Sequence, residues 1–176
     1  MDPQMTDHTG LWRRTLLIGA DGGRDAGGDV RWLQGLTAYV DSRGFAGSLH
    51  RHDDVFEWHR DVDLEPPGPF PDAGSMNWDG DVLVETGVHE DYCEHWVRDA
   101  DSAGPCAATF LRSPEGSSGL LMRVGDLFGW AGSGSVVIGA LGGVEWTNLR
   151  ITPSGDHVDA LGQRWSVQRC EGKSIS

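Results

Sequence analysis

Glycine and proline punctuate this chain too densely for a helical protein. Its 176 residues include 26 glycines and 8 prolines, spread from one end to the other. A glycine inside a helix costs about 1 kcal/mol relative to alanine, and a proline about 3 kcal/mol. The breaks therefore leave segments too short to sustain a helical period. Between them lie runs rich in valine, leucine, tryptophan and threonine. The first are Trp12–Ile18, Val30–Gln34, Thr37–Arg43, Val55–Asp63, Val82–Thr86 and Tyr92–Arg98. Further on come Cys106–Leu111, Gly119–Val124, Val136–Leu141, Val144–Ile151 and Arg164–Arg169. Several alternate as a half-buried strand must. Tyr39, Asp41 and Arg43 face one way, and Ala38, Val40 and Ser42 the other. Short strands at regular spacing predict an all-β fold, an antiparallel sandwich or closed barrel. At most one short helix fits, at Gly125–Trp130.

The turns support the same division. Trp78-Asp79-Gly80-Asp81 carries an Asp-Gly pair suited to a tight hairpin, and Leu141-Gly142-Gly143-Val144 is a second candidate. Glu65–Pro71 holds four prolines and cannot sustain a hydrogen-bonded ladder. It must be a loop, expected to cross an open end of the barrel. Residues 1–9 and 171–176 are expected to fray, which leaves one β domain over residues 10–170.

A formal charge of −13 repels phosphate backbones, so nucleic acid and anionic membrane are poor partners. No apolar stretch approaches the roughly 20 residues of a membrane helix, and a cytoplasmic location is the expectation. Cys93, Cys106 and Cys170 are odd in number and lack paired spacing, which fits reduced thiols. The glycine-rich stretches 19–28 and 129–143 lack phosphate-loop spacing and read as turns.

Chemistry concentrates in Val84–Asp99, where histidines, glutamates, a tyrosine, a tryptophan and a cysteine crowd together. The backbone reads as strand, turn, strand, with Gly87–Asp91 as the connection. On the second strand Tyr92, Glu94, Trp96 and Arg98 share one face, and Cys93, His95 and Val97 the other. Which face turns inward is undecided, because a one-residue slip exchanges them. A metal site would draw on His89 and His95 with His59, His50 or His52. No compact ligand signature exists, so none is expected.

Order and motif also carry a resemblance. Tyr39–Arg43, Phe45-Ala46-Gly47-Ser48, the Val55–Asp63 strand with Trp58, and Asn77-Trp78-Asp79-Gly80 leading to Val84-Glu85-Thr86-Gly87 come in that sequence. Glu94-His95-Trp96, Gly119-Leu120-Leu121 and Gly162–Val167 follow. Together they resemble a fungal family of cytosolic lipocalin-like proteins named for binding a casein-kinase-1 homologue. This chain is shorter between motifs and has the His89–Asp91 turn in place of a longer loop. The resemblance implies a single antiparallel calycin-like barrel with a central cavity, and transfers no catalytic residue. The composition also looks like that of an actinobacterial protein, and by fold analogy such barrels include isomerases, cyclases and lyases of small-molecule biosynthesis.

Inside an apolar barrel a carboxylic acid has its ionised form disfavoured, which suits it to proton transfer. Asp41, Glu57, Glu85 and Glu94 are candidate acids, with His59, His95, Tyr39 and Tyr92 as partners. Glu94, His59, Glu85 and Tyr92 are the expected catalytic set. Trp32, Tyr39, Asp41, Arg43, Trp58, Trp78, His95, Trp96, Phe128 and Trp146 are the expected ligand contacts. Arg43 has a structural alternative, a salt bridge to Asp41 or Glu94 with the guanidinium packed on a tryptophan at the barrel floor. The Pro66–Pro71 loop, with Phe70, is a candidate lid.

The expected function is binding of a small hydrophobic or amphipathic molecule, with cofactor-free acid–base chemistry as the enzymatic version. A non-catalytic binding or partner-recruiting barrel is the alternative, and haem held by His59, His89 or His95 is a third. No metal or cofactor is expected, and a homodimer is compatible with this reading.

Overall fold

The computed structural model describes residues 2–175. Nine strands come from the first hundred residues. They are β1 (Gly10–Ile18), β2 (Arg24–Asp25), β3 (Arg31–Gln34), β4 (Ala38–Asp41), β5 (Phe45–His52), β6 (Val55–Asp63), β7 (Asp72–Asp79), β8 (Val82–Gly87) and β9 (Cys93–Arg98). From β3 to β9 each pairs antiparallel with the next, and β9 returns to pair with β1. Eight strands thus close a barrel, while β2 only extends the far end of β1.

After the barrel come β10 (Cys106–Arg112), β11 (Ser118–Val124), β12 (Leu127–Gly132), β13 (Ser135–Ala140), the helix α1 (Val144–Leu149), β14 (Thr152–Pro153), β15 (His157–Ala160) and β16 (Gln163–Gly172). These strands make a second antiparallel sheet, ordered β13-β12-β11-β10-β16-β15-β14. The all-β expectation holds, and the closed antiparallel barrel is present. Its circumference is complete at Arg98, however, so the strands placed in the same barrel by sequence form a separate sheet instead. Alternation tells which face of a strand is buried, not which sheet it joins.

The two layers share an apolar seam. On β4, Tyr39 and Asp41 point into the barrel while Ala38 and Val40 point out, against Met122, Leu120 and Phe110 of the second sheet. At its closest approach a Cβ on Gly129 would sit 2.8 Å from a Val40 methyl. Glu171 bolts the layers together: its carboxylate accepts from the Thr37 and Ala38 amides at 2.9 and 2.7 Å and from the Thr37 hydroxyl at 2.6 Å. The sheet's other face is covered by α1, with Trp146 edge-on to Phe128 at 5.1 Å.

Two segments differ from expectation. Val144–Ile151 is not a strand. Its first six residues form α1, because Trp146 and Leu149 lie three apart and pack on that face, while Thr147 bonds back to the Gly143 carbonyl at 2.9 Å. Gly125–Trp130 is not a helix either. Gly125 and Asp126 turn the chain between β11 and β12, and the residues from Leu127 on enter β12. The hairpin at Gly80-Asp81 is as read, with Asp79 opposite Val82.

The segment before Thr9 is folded, not frayed. A 3₁₀ turn, Met5–His8, pushes His8 into the barrel end, where the ring lies 4.6 Å from Phe56 and its carbonyl accepts from Trp12 Nε1 at 2.7 Å. Trp12 stacks on Trp32 at 5.7 Å, and Arg98 lies over Trp12 at 4.7 Å while donating to the Asp7 carbonyl. The arginine-on-tryptophan contact of the floor therefore belongs to Arg98, and Arg43 sits at the other end.

Candidate functional site

The barrel end opposite His8 is open and holds a cavity of about 390 Å³. Trp32, Trp58, Trp96 and Phe45 form its apolar wall. Arg14, Asp41, Arg43, Glu85, Tyr92 and Glu94 supply its polar groups, and Arg60, Asp72 and Glu90 its rim. The ambiguity on β9 is resolved: Tyr92, Glu94 and Trp96 point in, and Cys93, His95 and Val97 point out.

The register of β8 and β9 sets Glu85 directly opposite Glu94. Like charges in that position repel at a Cβ separation of about 5 Å. Both are 4% exposed, so water screens neither. The structure separates their roles through their partners. Glu94 Oε1 accepts from Arg14 Nη1 at 2.6 Å and from Arg43 Nη1 at 3.2 Å. Arg43 is itself forked onto Asp41, at 3.0 Å to Oδ1 and 2.8 Å to Oδ2. Asp41 also accepts from the Arg43 amide at 2.9 Å, so the β4–β5 turn holds acid and base in one unit. The guanidinium lies 5.7 Å from the Trp96 ring and 5.2 Å from that of Phe45. Burial opposes its charge, but the Asp41 bonds and the two glutamates outweigh this and hold its pKa above the ordinary value.

Glu85 has only neutral donors. Tyr92 gives its hydroxyl proton to Oε1 at 2.8 Å, and Trp96 Nε1 donates to Oε2 at 3.1 Å. Burial, then the charges of Glu94 and Asp72, push Glu85 up to about 8, against the Tyr92 bond and Arg43. Its environment therefore disfavours the ionised form of Glu85. Burial and the neighbouring Glu85 likewise push the Tyr92 phenol up, so it remains a donor. Two glycines make room for this pair. A Cβ on Gly74 would lie 2.8 Å from Glu85 Cγ, and one on Gly87 2.5 Å from the Tyr92 ring.

Of the residues named from sequence, the cavity brings together Glu85, Tyr92, Glu94, Asp41, Arg43, Trp32, Trp58 and Trp96. His59 is excluded: it lies opposite Ser48 on the outer face of β6, bound to Glu57 at 2.7 Å and stacked on His50 at 4.1 Å. His95 is on the outer face of β9. Trp78 is near the floor against Trp12, with 36% of its surface exposed. Phe128 and Trp146 belong to the second sheet and its helix. Tyr39 is buried inside the barrel but does not line the cavity; its hydroxyl donates to the His59 carbonyl at 3.3 Å.

Sequence reasoning missed Arg14, Arg60, Asp72 and Glu90. Arg14 had a signal, since it shares alternation with Trp12. A bulge between Arg14 and Leu16 then shifts the phase, which simple alternation does not reveal. The Pro66–Pro71 loop flanks the mouth and borders a second hollow that shares Trp58, Arg60, Asp72 and Glu90 with the first. Phe70 there stacks on His89 of the β8–β9 loop at 6.3 Å.

Among the described residues no three ligating side chains converge on a metal position, and no helix is long and apolar enough to cross a membrane. No family model, curated protein or solved structure matches this chain.

Proposed function

We propose that the barrel takes a small organic molecule into its open end and that Glu85 exchanges a proton with it without a cofactor. Isomerisation, cyclisation and elimination are reactions of this kind. The observation that carries the reading is the Glu85–Glu94 pair, two buried facing acids of which one accepts from two arginines and the other only from the neutral donors Tyr92 and Trp96. A general acid or base with a pKa near the working pH contributes about 10²–10⁴-fold to rate. Tyr92 can relay the proton Glu85 gives or takes, and Glu94 with Arg14 and Arg43 forms a fixed polar wall that needs no rearrangement. Kinship with the fungal lipocalin-like barrels and a cytoplasmic setting belong to the same proposal.

Native mass spectrometry of protein from the cells that make it should show one retained small molecule. The same protein should exchange a carbon-bound hydrogen of that molecule with deuterium oxide, and Glu85→Gln should stop the exchange. Retention of no molecule at all would overturn the reading. The alternative, a binding barrel without chemistry, has one observation in its favour: below the cavity Trp12, Trp32, Phe56 and His8 pack ring against ring, so much of the barrel interior is filled by its own side chains. A retained molecule that never exchanges hydrogen would select it.

A further inference from the structure

The charge pattern at the mouth, together with its aromatic wall, speaks to the kind of molecule that fits. Every arginine lining the cavity is already engaged: Arg14 by Glu94, Arg43 by Asp41 and Glu94, and Arg60 by Asp63 and Asp72 at 3.1 and 2.8 Å. Three arginines meet five carboxyl groups around the hollow. Among the described residues neither Glu85 nor Glu90 has a cationic partner. An anionic ligand would find no free positive charge, and the protein's overall charge of −13 would oppose its approach.

The wall itself accepts cations. Arg60 lies 3.6 Å from the centre of the Phe45 ring, and Arg43 lies over both Phe45 and Trp96. Trp58 lines the same hollow, and among the described side chains no cation covers it. A positive group seated on this indole would face the one buried carboxyl that has only neutral donors.

We infer that the ligand of this cavity carries a positive charge, a protonated amine or quaternary ammonium on a flat or apolar body, set between the indole of Trp58 and the carboxyl of Glu85. The inference rests on the ligand-binding reading above and gives it a substrate class. A cation beside Glu85 favours its ionised form, so binding below about pH 8 expels a proton. Affinity then rises with pH up to about 8 and levels off beyond it.

The test uses the full chain and three aryl probes of similar size: benzyltrimethylammonium, benzyl alcohol and phenylacetate. Calorimetry at neutral pH, in two buffers of different ionisation enthalpy, reads affinity and proton release together. The cation should bind roughly tenfold tighter than either other probe, with close to one proton released. Glu85→Gln should abolish the release and bring the cation down to the affinity of benzyl alcohol. If that variant does not fold, the proton count of the unmodified protein decides alone. Cation binding without proton release overturns the inference. Equal or tighter binding of phenylacetate or benzyl alcohol also overturns it, while leaving the pocket reading standing. Failure of all three probes to bind would overturn both.

Discussion

The two ends of one barrel are built from the same kind of inward-facing aromatic residue and yet do opposite things. At the floor, Trp12, Trp32, Phe56 and His8 meet ring against ring, and the indole proton of Trp12 has its acceptor in the His8 carbonyl. At the mouth, Trp58 and Trp96 stop short of filling the space, and ionisable groups stand where more rings would otherwise close it. The floor is a core, in which burial converts directly to stability. The mouth gives up that burial, and its acids are held in place by register pairing and arginine forks. A barrel that had only to stay folded would gain by packing both ends.

Truncation should expose this difference first. Trp12→Ala removes a fully buried, stacked indole and should cost about 3–5 kcal/mol in urea denaturation. Trp58→Ala removes a ring whose one side already faces a hollow, and should cost about 1–3 kcal/mol. Equal costs would mean that the mouth is as much a core as the floor. Glu94→Gln comes next, at about 3 kcal/mol, because it leaves the buried Arg14 guanidinium underpaired and takes one partner from the more exposed Arg43. The loss stays at the lower end of the usual range because Arg14 keeps the Gly27 carbonyl at 3.1 Å and Arg43 keeps Asp41.

Glu85 gives the comparison a pH dependence. Its folded pKa of about 8 lies above the ordinary value of 4.5, so the folded state binds the extra proton between those limits. The group's contribution is therefore fully present below about pH 4.5 and is lost as pH rises toward about 8. The slope should reach up to about 1.4 kcal/mol per pH unit. Denaturation curves at several pH values should show stability falling across that window in the unmodified protein. Glu85→Gln should flatten the fall and be the more stable of the two at the alkaline end. Identical slopes in both Glu85 forms would refute its protonation at neutral pH.

Tyr92→Phe should have a smaller effect, about 1 kcal/mol, from loss of the hydrogen bond to Glu85. Its removal takes away an interaction that favours ionised Glu85. The fall in stability should consequently extend to higher pH than in the unmodified protein, which the same denaturation series would detect.

Legibility in the sequence followed the range of the interactions involved. Strand alternation is local, so Val55–Asp63 was readable to the residue, and Tyr92, Glu94 and Trp96 were readable as one face. Which face turned inward was not, because that depends on β1 closing on β9 some eighty residues away. The division into barrel and second sheet was illegible for the same reason: β10 and β11 read as short, turn-bounded apolar strands, and nothing local in them says which sheet they join. Helix α1 was misread because Val144 and Thr147 look strand-like, whereas packing of Trp146 on Phe128 decides the matter. His59 was the instructive error. Its parity is opposite to that of Trp58, which places it outside, and the acid–imidazole pair it makes, with Glu57, lies on the surface.

That surface pair supplies the mildest prediction and the sharpest control. His59 keeps 45% of its side chain exposed and Glu57 31%, so solvent screens their 2.7 Å contact, and such pairs contribute about 0–1 kcal/mol. The stacked His50 gains little from the pairing, since burial and its histidine neighbours push its own pKa down. His59→Ala should shift stability by no more than about 0.5 kcal/mol and leave binding of the cationic probe unchanged. The two faces of β6 would then differ cleanly, Trp58 altering the pocket and the adjacent His59 altering nothing in it. A large loss of probe binding in His59→Ala, with normal folding, would mean that the outer face of the barrel communicates with the mouth and that the division between wall and surface is drawn in the wrong place.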